Sequence, residues 1–176
     1  MGDEKRTFSR VETGVRVYMR RVPEDSGFAT GFDCPGCDTD TSDALKKSNL
    51  PEGVTDFLLD LNRKLDILIS LSSRKMIQDD YPIQGSVSEI SGAGVKCHAR
   101  ERFSPGDHVE IVLVLSAFPL RMASAIAKVV RLERGGKDPV WAMEFTRVRD
   151  PDLEQIVQFV FKEQRARIRE QKWADR

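Results

Sequence analysis

The sequence predicts a mainly β protein with added helices, and three observations carry that prediction. Its second half holds several short segments that alternate apolar and polar residues, separated by Gly, Pro, Asp and Ser turn signals. Residues 49–73 break that rhythm: Val54, Leu58, Leu61, Leu65 and Leu68 recur in steps of 4, 3, 4 and 3, a heptad seam. The closing segment, from about Asp152 to Gln171, carries a helical stripe of Leu153, Ile156, Val157, Val160 and Phe161. Antiparallel strands at such short spacing suggest a small barrel or sandwich.

Taken in order, residues 1–12 are charged and read as an exposed arm. Val15 to Val22 alternates Val15, Val17 and Met19 against Arg16, Tyr18 and Arg20, the pattern of a half-buried strand. Residues 23–43 are rich in Pro, Gly, Asp, Ser and Thr and read as loop or linker. The heptad helix follows over about 49–73, with Asn49 able to cap it, Pro51 in the first turn and Glu52 favouring a helix start. Phe57, Ile69 and Leu71 widen its apolar stripe, and Lys64, Arg63, Asp60 and Asp66 supply a polar face. Residues 74–81 return to polar linker. Strands are then expected at Ile83 to Glu89, Ala93 to Ala99, His108 to Ser116, Leu120 to Glu133 (long and bent) and Val140 to Val148. Asp150-Pro151 opens the last helix, and basic residues crowd its end, where the helix dipole favours them.

Composition narrows the function classes. The chain has 176 residues, enough for one domain plus an elaboration, and is 40% hydrophobic and 32% charged. Its 28 basic residues balance its 28 acidic ones, which argues against a protein that coats DNA or RNA through a positive excess. Zero net charge and 7% aromatic content also count against a barrel that stacks single-stranded nucleic acid. No apolar run approaches the roughly 20 residues of a membrane span, and the polar N-terminus has no signal-peptide core. Arg6 stands where a myristoylation pattern needs Ser or Thr. Three cysteines are too few for a disulfide framework. The expectation is a soluble cytoplasmic protein.

Two short motifs stand out together. Arg6-Thr7-Phe8-Ser9-Arg10 is an R-x-x-x-R just before the first strand, and Glu89-Ile90-Ser91-Gly92-Ala93-Gly94 is an x-x-S-x-x-G turn joining two strands. The pair resembles the PilZ family, whose signature is R-x-x-x-R followed by [D/N]-x-S-x-x-G. KRTFSRVETGVRVYMR is similar to a PilZ opening, GSVSEISGAGVKC to its second strand pair, and IVQFVFKEQRARIRE to its closing helix. The resemblance implies a six-stranded antiparallel β-barrel with a C-terminal helix, formed by residues 1–22 and 82–176. Residues 23–81, with the coiled-coil-like helix, would then be an insertion. It also implies a ligand, cyclic di-GMP, bound by Arg6, Arg10, Glu89, Ser91 and Gly94, and a receptor that passes the message to a protein partner.

The chemistry of these residues fits such a ligand. Arginine offers a planar fork that grips phosphate or the O6/N7 edge of guanine with two bonds. The Ser91 hydroxyl can bond to guanine or phosphate, and Gly94 allows close backbone approach or an unusual turn conformation. By the resemblance, Glu89 holds the position that reads the guanine Watson–Crick edge. Here the chain departs from the pattern: Glu89 replaces Asp or Asn and carries its carboxylate one methylene, roughly 1.5 Å, further out. The alternative is a PilZ-like oligomerisation or interaction module that has lost its nucleotide.

That alternative would rest on the helix, whose apolar surface must be buried somewhere. Self-association through Val54, Leu58, Leu61, Leu65 and Leu68 gives a homo-oligomer, dimer to tetramer, and some PilZ relatives with such an insertion look like tetramers. Packing back on its own barrel is the plainer solution. Cys34-Pro35-Gly36-Cys37 is a C-x-x-C, half of a zinc site or a redox pair. A zinc site needs four ligands, and the other Cys and His residues are Cys97, His98 and His108. Cys97 and His98 are adjacent in a strand and point to opposite faces. A plain loop is the simpler reading, with no bound metal. No matched nucleophile and base, no P-loop and no dinucleotide fingerprint is present, so no enzyme is expected.

Overall fold

Strand pairing fixes the architecture. The computed structural model describes residues 9–28, 45, 47–117, 120–133 and 139–174. Its strands are β1 (Arg10–Glu12), β2 (Arg16–Val22), β3 (Ile83–Ser91), β4 (Gly94–Ala99), β5 (His108–Ala117), β6 (Leu120–Glu133) and β7 (Val140–Val148). Helix α1 (Glu52–Asp80) lies between β2 and β3, and helix α2 (Asp150–Ala174) closes the chain. All pairings are antiparallel, and the order β3-β2-β5-β6-β7-β4 returns to β3, closing a barrel. β1 and β2 lie end to end along the same edge of β3 and count as one interrupted strand of a six-stranded barrel. Two bonds bridge the interruption, Thr13 N to Ser88 O at 3.1 Å and Val87 N to Val15 O at 2.8 Å.

Alternation puts Val17, Met19, Val87, Val95, Cys97, Val109, Ile111 and Leu113 inside. Phe103 meets Trp141 edge to face, with ring centroids 5.4 Å apart. β6 contributes Ala123, Ala125 and Ala127, small side chains that leave room for Ile156 and Val160 of α2 in the same core. The buried Asp152 carboxylate fixes the start of α2, accepting from Ser124 N at 3.0 Å and Arg149 Nε at 2.7 Å. β6 is long and irregular as expected: its register with β7 shifts between Ile126 and Ala127 and again between Val129 and Arg131.

The structure differs from the sequence reading in three places. Arg10–Glu12, read as part of a free arm, pairs with the end of β3. The helix starts at Glu52 with Pro51 as cap, without a side-chain cap from Asn49. It also continues through residues 74–80, read as polar linker. Within that stretch Ile77 is fully buried and packs with Tyr81, Tyr18 and Val112 in a second cluster outside the barrel. Tyr18 therefore faces outward on β2, as alternation requires, yet is 2% exposed because the base of α1 covers it.

Beside that cluster Arg20 grips the fully buried Glu110 through Nε at 2.8 Å and Nη2 at 2.5 Å, with its guanidinium 5.1 Å from the Tyr81 ring centroid. Removing one partner of a buried pair loses the attraction while the other charge stays desolvated, whereas replacing both with apolar groups is near neutral. Arg20→Ala is expected to cost about 3 kcal/mol in urea denaturation. Arg20→Met with Glu110→Leu is expected to recover most of that loss, and an equal loss in the double variant would refute the account.

Candidate functional site

The β3–β4 hairpin has a two-residue turn, Gly92-Ala93, closed by the pairing of Ser91 with Gly94. The Ser91 hydroxyl is built into the turn: it accepts from Ala93 N at 3.3 Å and donates to Gly94 O at 3.2 Å. At 8% exposure it offers a ligand one edge of its oxygen. Gly94 does not have a positive φ, so an unusual turn conformation is not its reason. Its reason is close approach: a Cβ there would run into the Met143 carbonyl oxygen and Glu144 Cα of β7.

The register brings Arg10 to this turn. Arg10 stands directly opposite Ser91, and Glu12 opposite Glu89, which in turn pairs with Lys96 on β4. The Arg10 guanidinium reaches Glu89 Oε1 at 3.2 Å, and Lys96 Nζ lies 3.5 Å from Glu89 Oε2. Lys96 also reaches Glu133 at 3.1 Å, and Arg131 holds Glu133 at 2.6 Å. Lys96, Ala142 and Arg131 are aligned across β4, β7 and β6, and the short Ala142 side chain lets Lys96 meet Glu133 above it. Hydrogen bonds from Arg131 and then Lys96 hold the Glu133 carboxyl below its ordinary range. The result is a chain of alternating charge, Arg10–Glu89–Lys96–Glu133–Arg131, on the outer barrel face. Each link is solvent-accessible and worth at most about 1 kcal/mol, so an anionic ligand can exchange for it cheaply.

A second tie holds β1 from the other side. Arg167 of α2 donates to the Glu12 backbone oxygen at 2.7 Å and to its carboxylate at 3.2 Å. Of the predicted site, Arg10, Glu89, Ser91 and Gly94 are thus together, and Arg6 lies outside the described residues. Lys96 was missed by sequence reasoning. It is two residues beyond Gly94, and alternation alone puts it on the same outer face. Cys34 and Cys37 also lie outside the described residues. Cys97 is buried inside the barrel, where desolvation pushes its thiol up to about 12, and His98 faces out. Among the described residues no group of three or more His, Cys, Asp or Glu side chains is placed to hold a metal ion. No helix among them is long and apolar enough to cross a membrane.

The fold is a closed six-stranded antiparallel barrel with a charged outer turn and a C-terminal helix packed into its core. The PilZ domain profile matches residues 64–162, more than half of the chain, and the chain belongs to the PilZ domain family. The matched stretch holds Glu89, Ser91 and Gly94 and leaves out the arginine arm. Comparison with curated protein sequences gives no match. Among solved structures, the Bacillus subtilis inhibitor of motility MotI/DgrA is similar over 92% of this chain, at 12% identity and a TM-score of 0.52. The chain spans about half the length of that protein, 51%. A Xanthomonas campestris tetrameric PilZ domain, self-assembled through a helical bundle, is similar over 90% of this chain and 89% of its own, at 16% identity and a TM-score of 0.56. The PilZ domain of Escherichia coli YcgR, solved with c-di-GMP, overlaps 51% of this chain and 78% of its own, at 10% identity and a TM-score of 0.43.

The packing at Gly94 makes a direct prediction. Gly94→Ala is expected to push β4 from β7 and lower stability by about 1–3 kcal/mol, the cost of overpacking. A thermal midpoint equal to that of the wild type would show that the approach of β7 is not limiting.

Proposed function

We propose that this chain is a cytoplasmic cyclic di-GMP effector of the PilZ type, which passes the level of the messenger to a protein partner. One observation carries the reading: in a PilZ-family chain, Arg10, Glu89, Ser91 and Gly94 stand together on one outer face of the barrel. In this reading residues 1–22 and 82–176 form the receptor and residues 23–81 are an elaboration of it. The ligand phosphates take Arg10, with Arg6 from the preceding arm, and Glu89 turns to the guanine edge. Arg10 must leave Glu89 for this to happen, and Lys96 then compensates the glutamate. The extra methylene of Glu89 fits this double duty, since its two oxygens reach two different cations.

Calorimetry with cyclic di-GMP tests it. Saturable binding is expected, weakened about tenfold or more in Arg10→Ala, the scale of a lost charge-assisted pair. Glu89→Asp, which restores the family residue, is expected to bind more tightly than the wild type. Absence of heat at tens of micromolar ligand rules the reading out.

A second reading is favoured by α1. Phe57, Leu68 and Leu71 are 65%, 62% and 60% exposed, and Val54, Leu61 and Leu65 are also open, while Leu58 is half-buried. The helix touches the barrel through its last turns and leaves this surface uncovered. Such a surface is stabilised by association with copies of itself, and the Xanthomonas protein assembles through a helical bundle. In this reading the inserted helix makes a coiled-coil-like homo-oligomer, dimer to tetramer, and the barrel serves as an adaptor. Light scattering is expected to give a mass above the monomer, and Leu61→Glu with Leu65→Glu to reduce it to the monomer with its circular dichroism retained. A monomeric wild type ends this reading.

A further inference from the structure

We propose that the outer face of β2, β3 and β4 carries a second anion site, separate from the Arg10–Glu89 cluster, that holds the phosphate groups of a small phosphorylated ligand. The register builds it. Arg16 pairs with Ser86, and Ser86 pairs with His98, so the three side chains stand side by side across three strands. Gln84 and Arg100 lie one step further along the same face. Two adjoining concavities, about 510 and 620 Å³, share Gln84 and Arg100. The first is lined by Arg16, Ser86 and His98, and the second runs on to Arg20, Arg21 and Glu101.

The charges in this groove are unequally used. Arg20 is held by Glu110 at 2.5 Å, and Arg21 by Glu101 at 3.2 Å. Arg16 and Arg100 make no ion pair or side-chain hydrogen bond among the described residues. They flank β3 from opposite sides, with the Ser86 hydroxyl and the Gln84 amide between them. Guanidinium forks with neutral donors between them suit a phosphate group, which takes several bonds at once. Glu101, the one carboxylate in the lining, is already taken by Arg21. The lining offers no exposed aromatic ring to stack a base, so recognition is of phosphate and not of nucleobase. Arg16 and Arg10 face Ser86 and Ser91, five residues apart on β3, roughly 17 Å at strand spacing. Arg10 is engaged by Glu89 at the far end of β3, and the site does not depend on the cyclic di-GMP reading.

The test is a nuclear magnetic resonance titration of the full chain with inorganic pyrophosphate at constant ionic strength. Saturable shifts are expected at Arg16, Ser86, His98 and Arg100, with Arg10, Ser91 and Gly94 little moved. Arg16→Gln with Arg100→Gln is expected to weaken binding about tenfold or more, while Arg10→Ala leaves it unchanged. Guanosine diphosphate is expected to match pyrophosphate. Shifts that never saturate, persist in the double variant, or centre on Arg10 and Lys96 would overturn the proposal. So would a strong preference for the nucleoside form, or tighter binding of a polyglutamate peptide, which would make the groove a protein-docking surface.

Discussion

Much of this structure depends on β3 pairing along both of its edges. β1 and β2 share one edge and β4 takes the other, so β3 is the strand at which the barrel closes. A strand paired on both sides cannot slip by one residue without turning every side chain to the wrong face. That constraint holds Glu89 and Ser91 at one end of β3 in a fixed relation to Arg10, Lys96 and Gly94. At its other end it fixes where the chain leaves Tyr81, and with it the base of α1. The site needs no dedicated scaffold, because it is the outer surface of the barrel's closure.

The sequence showed the barrel better than it showed what covers it. Two-residue alternation marked β2 to β7 to within a few residues, since it records which face of each strand is buried. It could not say that Tyr18 and Glu110, on outward positions, would be buried. For Tyr18 that burial comes from the last turn of α1, and for Glu110 it goes with the Arg20 pair; a local period carries no trace of a distant element. The same limit hid the end of α1: residues 74–80 look like linker because only Met76 and Ile77 among them are apolar, and Ile77 is in the buried cluster. β1 is invisible within the exposed arm of residues 1–12 because three residues are too few to show a period. In the site, the motifs named Arg10, Glu89, Ser91 and Gly94, but the links through Lys96 to Glu133 and Arg131 depend on the β4–β7–β6 register.

Glu89 is the residue of this turn that two cations share. The longer side chain spreads its two oxygens between Arg10 and Lys96, cations on different strands. The positive charge of Arg10 and Lys96 is therefore met by carboxylates of the same face. The contrast with Arg16 and Arg100 is instructive: the same barrel face holds arginines that find carboxylates and arginines that do not.

The anchoring of α1 has a mechanical consequence. The helix has 29 residues, roughly 44 Å of rod at 1.5 Å per residue, and its buried contacts are concentrated near Ile77 and Tyr81. It is a long arm on a short hinge. A tilt of about 5° at that base, over the roughly 38 Å from Ile77 back to Glu52, sweeps the far tip through roughly 3 Å. The tip thus magnifies several-fold whatever small displacement reaches β2 or β3, where the hinge is seated.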